Sequence, residues 1–439
     1  MIVPTNRLLF WVAALLPFVA LGAMVSFALP LMILLIAALL LAACLDAVLG
    51  MARTRGIRIL LPEVVRLAVD RPGLIPVRIH SEHMGHLRVR VGLPLPDGIP
   101  SDTEAMDVAL PGGSAESSVA WPCTPADRGA FTLSRCFFEV PSPFGFWGAR
   151  GASDCRSELR VYPDLRRERR RLAALLLRRG LFGIHVQRMV GQGRDFEKLR
   201  EYVPGDSYED IHWKATAKRG RPITKLYQVE RTREIYVLLD TSRLSARESG
   251  AEPALDRFIT SALLLGLVAE QQGDRFGLLT FSDRVERFIR AGAGRAHYNA
   301  CRDALFSLRS ELTSPDFDEL AAFIRLKLRR RALLLILTDL GDPALAESFV
   351  RNAELICRRH VVMVSMIRQP GVEPLFSAPN ADTTDSLYEN LGRHLVWMDL
   401  RELGRNLQHK GVRLSLVDDE RLSADLVTQY MNMKARQVL

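Results

Sequence analysis

Cysteine is scarce in this chain, and no two cysteines are placed to share a metal. Six occur among 439 residues, and no pair is separated by two residues, which excludes a zinc ribbon or a thioredoxin-like motif. Cys123 and Cys136 are the pair that neighbouring strands would bring together. We expect reduced, buried thiols, in agreement with a cytosolic environment. The six are Cys44, Cys123, Cys136, Cys155, Cys301 and Cys357.

Charge is absent from Leu8 to Leu45, a run nearly twice the length that one spanning helix needs, about 20 residues. Pro30 lies near the middle of this run and favours a turn there. We predict a transmembrane hairpin within residues 1–52, with helices at about 8–29 and 31–49. A single long tilted helix is the alternative. A cleavable signal peptide agrees less well, since its apolar core spans only about 7–15 residues.

Basic residues flank both ends of the apolar run. Arg7 precedes it, and Arg53, Arg55 and Arg58 follow it. Positive charge marks the cytoplasmic side of bacterial membranes, so we expect both ends, and the soluble remainder, to face the cytoplasm. The whole chain carries a net charge of +9 and a pI near 9.5, which anionic lipid headgroups explain most simply.

Motifs for nucleotide chemistry are also missing. The segment Arg290–Arg295 is glycine-rich, but it lacks the GxxxxGK[ST] pattern of a phosphate-binding loop. The basic stretch Arg219–Lys225 lacks the interleaved aromatic residues on which single-stranded nucleic acids stack. We therefore expect neither nucleotide hydrolysis nor nucleic-acid binding, and the sequence indicates no small-molecule substrate.

Residues 56–162 have the pattern of a small β-sandwich-like module. Short runs of alternating apolar and polar residues are separated by Gly, Pro and Asp. We interpret the module as a spacer or an adhesion unit. The predicted strands are Ile57–Leu61, Leu74–Ser81, Leu87–Leu93, Ser118–Trp121, Arg135–Val140 and Glu158–Tyr162.

A basic amphipathic helix is predicted at Asp164–Arg179, within a connecting segment, residues 163–233. Its arginine-rich face would be solvated or would bind anionic lipid. From residue 234 to 439, apolar strands alternate with helices, which predicts a doubly wound α/β domain with a mostly parallel sheet. The predicted strands are Ile235–Leu239, Arg275–Phe281, Val285–Ala291, Leu333–Leu337, Val361–Ile367 and Arg413–Val417.

Two of these strands end in aspartate within turns that carry hydroxyl groups, at Asp240 and at Asp339. The carboxyl ends of parallel strands meet at one edge of the sheet, where ligands of such domains bind. Carboxylate and hydroxyl oxygens are suitable ligands for Mg²⁺. Thr241 and Ser242 would add hydroxyls, and the loop Thr313–Asp316 would reach the same edge.

This pattern resembles a von Willebrand factor A domain with its metal-ion-dependent adhesion site. The resemblance implies a degenerate site of Asp240, Ser242, Thr313 and Asp339, with Mg²⁺ as the cofactor. Leu244 stands where the site has its second Ser, and Leu340 displaces the Gly of the third loop. The alternative is that these aspartates only cap turns and helix ends.

A distinctive set of residues stands before the α/β domain: Arg200, Glu201, Tyr202, Pro204, Gly205, Asp206, Asp210, His212 and Trp213. This set resembles the signature of the bacterial domain of unknown function 58 family. That family combines a membrane hairpin, a β-rich module, the signature and a von Willebrand A-like domain. The resemblance implies a MoxR-type AAA+ ATPase and other membrane proteins as partners, but no reaction.

Within this signature, Pro204-Gly205-Asp206 predicts a tight turn. Arg200 and Glu201, beside Asp206 and Asp210, predict a charge network. We expect Trp213 to be buried against the α/β domain and His212 to be a structural residue. No Ser or Cys nucleophile stands near His212 in any motif.

The sequence therefore favours a membrane-tethered interaction or scaffold protein of the bacterial inner membrane, with no catalytic residues. Two alternatives stay open. One is a metal-dependent membrane-bound hydrolase that uses Asp240, Asp339 and His212. The other is a structural component of the cell envelope whose β-module binds a second membrane protein.

Overall fold

The computed structural model describes residues 1–24, 29–82, 87–111, 116–178, 190–191, 195–203, 208–228, 234–249, 252–375 and 383–435. The chain forms two compact units, Met1–Asp164 and Leu165–Leu439. The signature segment therefore belongs to the same unit as the predicted α/β domain.

The first unit begins with a short strand, β1 (Ile2–Pro4), and two apolar helices, α1 (Asn6–Met24) and α2 (Leu29–Thr54). Within the described residues, Pro30–Thr54 is the one helical segment long and apolar enough to cross a membrane. The turn that we predicted at Pro30 is wrong, because Pro30 lies in the first turn of α2. Proline is tolerated there, since the first backbone N–H groups of a helix have no partner within it.

Eight further strands of the first unit form two sheets. One sheet has the order β1-β9-β8-β5-β6, with β3 added beside β9, and the other has the order β2-β4-β7. The strands are β2 (Ile57–Leu60), β3 (Val64–Ala68), β4 (Gly73–Ser81), β5 (Leu87–Gly92), β6 (Met106–Leu110), β7 (Glu116–Cys123), β8 (Gly129–Pro141) and β9 (Trp147–Tyr162).

Residues on these strands alternate between buried and exposed, as the sequence pattern predicts for sheets that cover a core with one face. Both sheets contribute to one apolar cluster, in which Trp121 is fully buried. The expected approach of Cys123 and Cys136 is wrong, because Cys136 Sγ lies 3.0 Å from Cys155 Sγ across β8 and β9. Burial raises the pKa of the Cys136 thiol, in agreement with unpaired, inert thiols.

The second unit contains eleven strands and eight helices in its described part. In chain order they are α3 (Leu165–Arg178), β10 (Val190–Gly191), β11 (Asp195–Glu201), α4 (Trp213–Arg219), β12 (Ile223–Gln228), β13 (Glu234–Asp240), β14 (Glu248–Ser249), β15 (Glu252–Pro253), α5 (Ala254–Gln271), β16 (Arg275–Phe281), β17 (Val285–Gly292), α6 (Arg295–Leu305), α7 (Phe317–Lys327), β18 (Leu333–Leu337), α8 (Pro343–Cys357), β19 (Val361–Ile367), α9 (Thr384–His409), β20 (Arg413–Val417) and α10 (Leu422–Ala435).

The main sheet of this unit has the order β17-β16-β13-β18-β19-β20. All of its neighbouring strands are parallel except β17, which runs antiparallel to β16 at one edge. Every residue of β18 is buried, because helices cover both faces. Side chains of α5 and α10 pack on one face, and side chains of α7 and α8 pack on the other.

Two helices differ from the sequence interpretation. Helix α3 is not simply a solvated basic helix, because Leu172 is buried in the core with α5 and α10. Helix α10 follows the last strand and escaped prediction, since its apolar residues follow no amphipathic stripe and most of its sides are covered. Both results reflect tertiary packing, which a helical pattern alone does not specify.

Candidate functional site

The carboxyl edge of the main sheet brings Asp240 and Asp339 into one region. Strands β13 and β18 are parallel neighbours in which Leu239 pairs with Leu337, so the residues that follow them are adjacent. Asp240 is fully buried and Asp339 is partly buried. The sequence prediction that these two carboxylates share an edge therefore agrees with the register of the sheet.

Both carboxylate oxygens of Asp240 are used inside the protein. Oδ1 accepts a hydrogen bond from the backbone N–H of Ser242 at 2.8 Å, and Oδ2 accepts one from the hydroxyl of Thr338 at 2.5 Å. Burial raises the pKa of Asp240, and these hydrogen bonds oppose that effect. Asp240 thus joins the ends of two neighbouring strands.

Asp339 forms an ion pair with Arg247. Its Oδ2 lies 2.9 Å from Nη1 of Arg247, and its Oδ1 accepts a hydrogen bond from the backbone N–H of Gly341 at 2.8 Å. The Arg247 side chain remains 54% exposed. Sequence reasoning missed Arg247, and the signal available was a basic residue in the loop that follows Asp240.

The hydroxyl groups near Asp240 mostly serve local turns. Ser242 Oγ accepts from the backbone N–H of Leu244 at 3.3 Å and begins the short 3₁₀ helix Arg243–Ala246. Ser245 donates to the carbonyl of Ser242 at 2.8 Å. Thr241 Oγ1 donates to the carbonyl of Phe281 at 2.9 Å, towards the neighbouring strand β16.

The loop that carries Thr313 does reach this edge. The backbone N–H of Arg243 donates to the Thr313 carbonyl at 2.9 Å. Thr313 Oγ1 is buried and has no hydrogen-bond partner among the described residues. Asp316 instead caps helix α7, where its carboxylate accepts from the N–H groups of Asp318 and Glu319.

The residues present do not fit a bound Mg²⁺. The unpaired Thr313 hydroxyl is a suitable ligand, but all four carboxylate oxygens of Asp240 and Asp339 are engaged, one of them by Arg247. Leu244 is buried where the second Ser would stand. No group of three or more His, Cys, Asp or Glu residues in the described ranges is arranged to hold a metal. The predicted ligand set shares an edge without forming a metal centre.

The signature residues lie apart in the fold, on the small sheet β10-β12-β11 and on α4. Glu201 pairs with Arg221 at 2.6 Å. The expected charge network with Asp206 and Asp210 stays a prediction. The rings of Tyr202 and Tyr208 stack at 6.0 Å. The predicted turn Pro204-Gly205-Asp206 lies outside the described residues, and so does the side chain of Asp210. Arg200 is exposed and lies on β11, where its backbone pairs with Thr224.

His212 is a capping residue. Its Nδ1 accepts a hydrogen bond from the backbone N–H of Ala215 at 3.0 Å at the start of α4. Trp213 is 69% exposed, so the expectation that it is buried against the α/β domain is wrong. The first turn of α4 points this ring to solvent, while Ile211 and Ile223 supply the buried contacts of the segment.

Residues 198–375 match the family model described as "Protein of unknown function DUF58". This segment is similar to the DUF58 family, and the match leaves more than half of the chain uncovered. The DUF58 segment begins on β11, includes the signature and both aspartate loops, and ends after β19. It therefore joins the signature and the larger part of the main sheet into one unit of sequence.

Solved structures similar to this chain include a von Willebrand A domain. The VWA domain of SpRpn10 is 11% identical and covers 45% of this chain and 95% of its own, with a TM-score of 0.28. An aerotolerance-related membrane protein from Bacteroides fragilis NCTC 9343 is 16% identical, with coverages of 46% and 98% and a TM-score of 0.28. Proximal thread matrix protein 1 from the mussel byssus is 12% identical, with coverages of 46% and 45% and a TM-score of 0.27.

No curated protein matches this chain. The structural likenesses have TM-scores too low to carry an argument, so the assignment of a von Willebrand A-like α/β fold rests on the strand order and the two aspartate loops. Two regions of the DUF58 segment are candidates for binding a partner: the exposed residues of the signature segment and the carboxyl edge of the main sheet.

Proposed function

We propose that this chain is an interaction protein, tethered to a membrane through its N-terminal helices, that docks partner proteins through a signature surface. The signature surface consists of Tyr208, Trp213, Lys214 and Lys218. A MoxR-type AAA+ ATPase is the expected partner, by resemblance to the family, in the assembly or remodelling of envelope-associated complexes. The tether is supported by α2 and by the arginines that follow it.

The exposure of large aromatic side chains supports this proposal most directly. Trp213 is 69% exposed although it belongs to the family signature, and Tyr208, within the same segment, is 74% exposed. Exposed Trp and Tyr are the residues most often found at the energetic centres of protein interfaces, because burying them removes a large apolar area from water. The exposure of these two rings is therefore explained by a partner better than by the core.

The charge around these rings indicates the kind of partner. Lys214, Lys218 and Arg219 are exposed on α4, and none of them forms an ion pair within the described residues. A partner face with an apolar pocket for Trp213 and an acidic rim is complementary to this arrangement. Rim charges of this kind chiefly accelerate association and select the partner.

A photo-crosslinking experiment tests this proposal. A photoreactive phenylalanine would replace Trp213 in the full chain, in native membranes, with the same replacement at Tyr388 as the control. Tyr388 is 70% exposed on α9 and lies outside the DUF58 segment. We expect an adduct that contains an AAA+ ATPase from position 213 and none from position 388.

Equal crosslinking from the two positions would contradict the proposal, since it would indicate only general accessibility. A second variant, Tyr208→Ala, supplies an independent measurement. It should lower recovery of the ATPase in co-purification about tenfold, as expected for the loss of a central aromatic contact. Tyr388→Ala should leave recovery unchanged.

The hydrolase alternative gains no support from the site. The Nδ1 of His212 is occupied as a helix cap, and no hydrogen bond joins His212 to Asp240 or Asp339 in the described part of the chain. The proposal of an envelope structural component likewise has no specific contact in its favour. Neither alternative is carried further.

A further inference from the structure

Arg247 forms an ion pair with Asp339, one of the predicted metal ligands, at the carboxyl edge of the main sheet. We infer that the Arg247 guanidinium takes the place of the divalent cation, so that this edge binds a carboxylate of an acidic protein segment without metal. This inference goes beyond the proposed function, because it concerns a different surface from Tyr208 and Trp213.

The ion pair itself supplies the first argument. Nη1 of Arg247 lies 2.9 Å from Oδ2 of Asp339. A guanidinium has five N–H donors in a planar fork, and the pair uses one of them. Because the Arg247 side chain is still 54% exposed, the remaining donors can receive an incoming carboxylate.

The backbone around Arg247 is held on both sides. Its N–H donates to the carbonyl of Leu244 at 3.4 Å, and its own carbonyl accepts from the N–H of Ala254 at the start of α5 at 2.9 Å. The two-residue strands β14 and β15 follow directly and pair with each other. The guanidinium is therefore presented from a fixed point, which lowers the entropy lost on binding.

Leu244, which stands where the resembled metal site has its second Ser, also argues against a bound metal. Leu244 is buried in the turn, so it removes a hydroxyl ligand and replaces it with an apolar contact. Asp240 is turned inward, with both oxygens bonded to Ser242 and Thr338. These features leave the exposed guanidinium of Arg247 as a cationic group at this edge that can bind an anion.

Arg243 strengthens this preference. It lies one turn before Arg247, its side chain is exposed, and it forms no ion pair with any residue that the structure describes. Two guanidinium groups on one short turn favour a peptide with more than one carboxylate over an isolated carboxylate. The ligand class is therefore an acidic segment of a protein, rich in Asp or Glu.

The test uses the full chain in detergent and a fluorescently labelled hexaglutamate peptide as the probe. Binding is measured by fluorescence anisotropy, once with EDTA and once with millimolar Mg²⁺. We expect the same Kd in both conditions. Arg247→Gln should weaken binding about tenfold, the factor that corresponds to the loss of one charge-assisted hydrogen-bonded contact.

Arg330→Gln is the matched control. Arg330 is 73% exposed and lies 3.8 Å from the mostly buried Glu234, so it is also an exposed arginine beside an acid of the main sheet. It lies at the opposite end of the strands, before β18. Arg330→Gln should bind the peptide as the unchanged protein does.

Three outcomes would overturn the inference. Equal weakening by Arg247→Gln and Arg330→Gln would indicate general attraction to a basic protein. Loss of binding in EDTA would show that a metal is required. Failure of the unchanged protein to bind the peptide would remove the carboxylate site. Unaltered thermal unfolding of both variants establishes that the comparison concerns binding and not folding.

Discussion

Asp46 in the first unit and Asp240 in the second are both fully buried. Each therefore needs hydrogen-bond donors from the protein to replace the water that burial removes. Asp46 lies in helix α2 and accepts hydrogen bonds from the hydroxyl of Ser142 at 2.5 Å and from the N–H groups of Phe144 and Phe146 at 2.9 and 3.0 Å. Asp240 lies at the end of β13 and accepts from Ser242 and Thr338. Each carboxylate is satisfied by donors that the fold brings to it.

The difference lies in what each aspartate connects. Asp46 ties an apolar helix to a loop about one hundred residues later, and the indole N–H of Trp147 adds a bond to the carbonyl of Ala43 at 2.8 Å. Gly50 permits this approach, because a Cβ there would lie 3.1 Å from the Cβ of Ser142. Asp240 connects only neighbouring strand ends. The comparison teaches that a buried aspartate beside hydroxyl groups is not by itself a metal site.

Removal of the Asp46 carboxylate should have the largest effect. Asp46→Ala leaves three donors without an acceptor, and we expect the segment around residues 142–147 to lose about 3 kcal/mol of protection against local opening. Hydrogen exchange of the amides of Phe144 and Phe146 in detergent measures this loss. Asp107→Ala, at an exposed position of β6, is the control and should change neither amide. Unchanged hydrogen exchange of these two amides in Asp46→Ala would contradict the role of Asp46 in connecting helix α2 to this loop.

Removal of the Asp240 carboxylate should cost less, about 2 kcal/mol, because two donors lose their acceptor instead of three. Hydrogen exchange of the amides in β13 and β18 measures the effect of Asp240→Ala on the sheet. Asp399→Ala, at an exposed position on α9, serves as the reference. A larger loss than that of Asp46→Ala would reverse the proposed order of the two residues.

The donor hydroxyls give a finer comparison. Ser142 Oγ donates to Asp46 and also accepts from the backbone N–H of Trp147 at 3.0 Å, whereas Thr338 Oγ1 donates to Asp240. We expect Ser142→Ala to cost about 2 kcal/mol and Thr338→Val about 1 kcal/mol, as measured by exchange in the same segments. Equal losses would mean that the bond from Trp147 contributes little.

The smallest predicted effect is a dependence on pH. Burial raises the pKa of Asp240 in the folded protein, so the native state binds a proton more tightly than the unfolded chain does. The contribution of Asp240 to the free energy of unfolding should therefore fall as the pH rises from the ordinary aspartate range through the raised pKa. Because the side chain of Asp240→Asn cannot ionise, the free energy of unfolding of this variant lacks the decrease that Asp240 causes.

Denaturant unfolding of both proteins, from about pH 4 to pH 7, measures the difference between them. The free energy of unfolding of Asp240→Asn, relative to that of the unchanged protein, should increase with pH. A difference that decreases with pH would show that the hydrogen bonds from Ser242 and Thr338 outweigh burial.

Local patterns were sufficient for much of the second unit. The strands at 275–281, 333–337, 361–367 and 413–417 begin and end at the predicted residues. At 333–337 a continuous apolar run between turn residues specifies a covered parallel strand, whereas 413–417 has polar residues among its apolar ones and is only partly buried. The shared edge of Asp240 and Asp339 followed from the same pattern. Shorter strands such as Val64–Ala68 and Met106–Leu110 were missed, since their alternation extends over too few residues.

Contacts between distant residues could not be predicted in this way. The expected burial of Trp213 was wrong, because burial depends on what packs beside the residue. The ion pair of Glu201 with Arg221 was not predicted, since the two residues lie twenty positions apart in the chain. The sequence interpretation gave Asp46 no function for the same reason, since Ser142 and Phe144 lie far along the chain. The predicted role of Thr313 as a ligand stays a prediction, and its unpaired hydroxyl is the observation in its favour.

The sequence by itself determined an apolar N-terminal segment, the signature, and an α/β sheet with two aspartates at one edge. These features depend on residue type and on spacing within a strand or helix, which are local. Only the tertiary structure decided that Arg247 forms an ion pair with Asp339, that Asp240 is buried with both carboxylate oxygens hydrogen-bonded, and that Trp213 is exposed. The physical reason is that charge pairing and burial depend on neighbours that folding, and not sequence proximity, supplies.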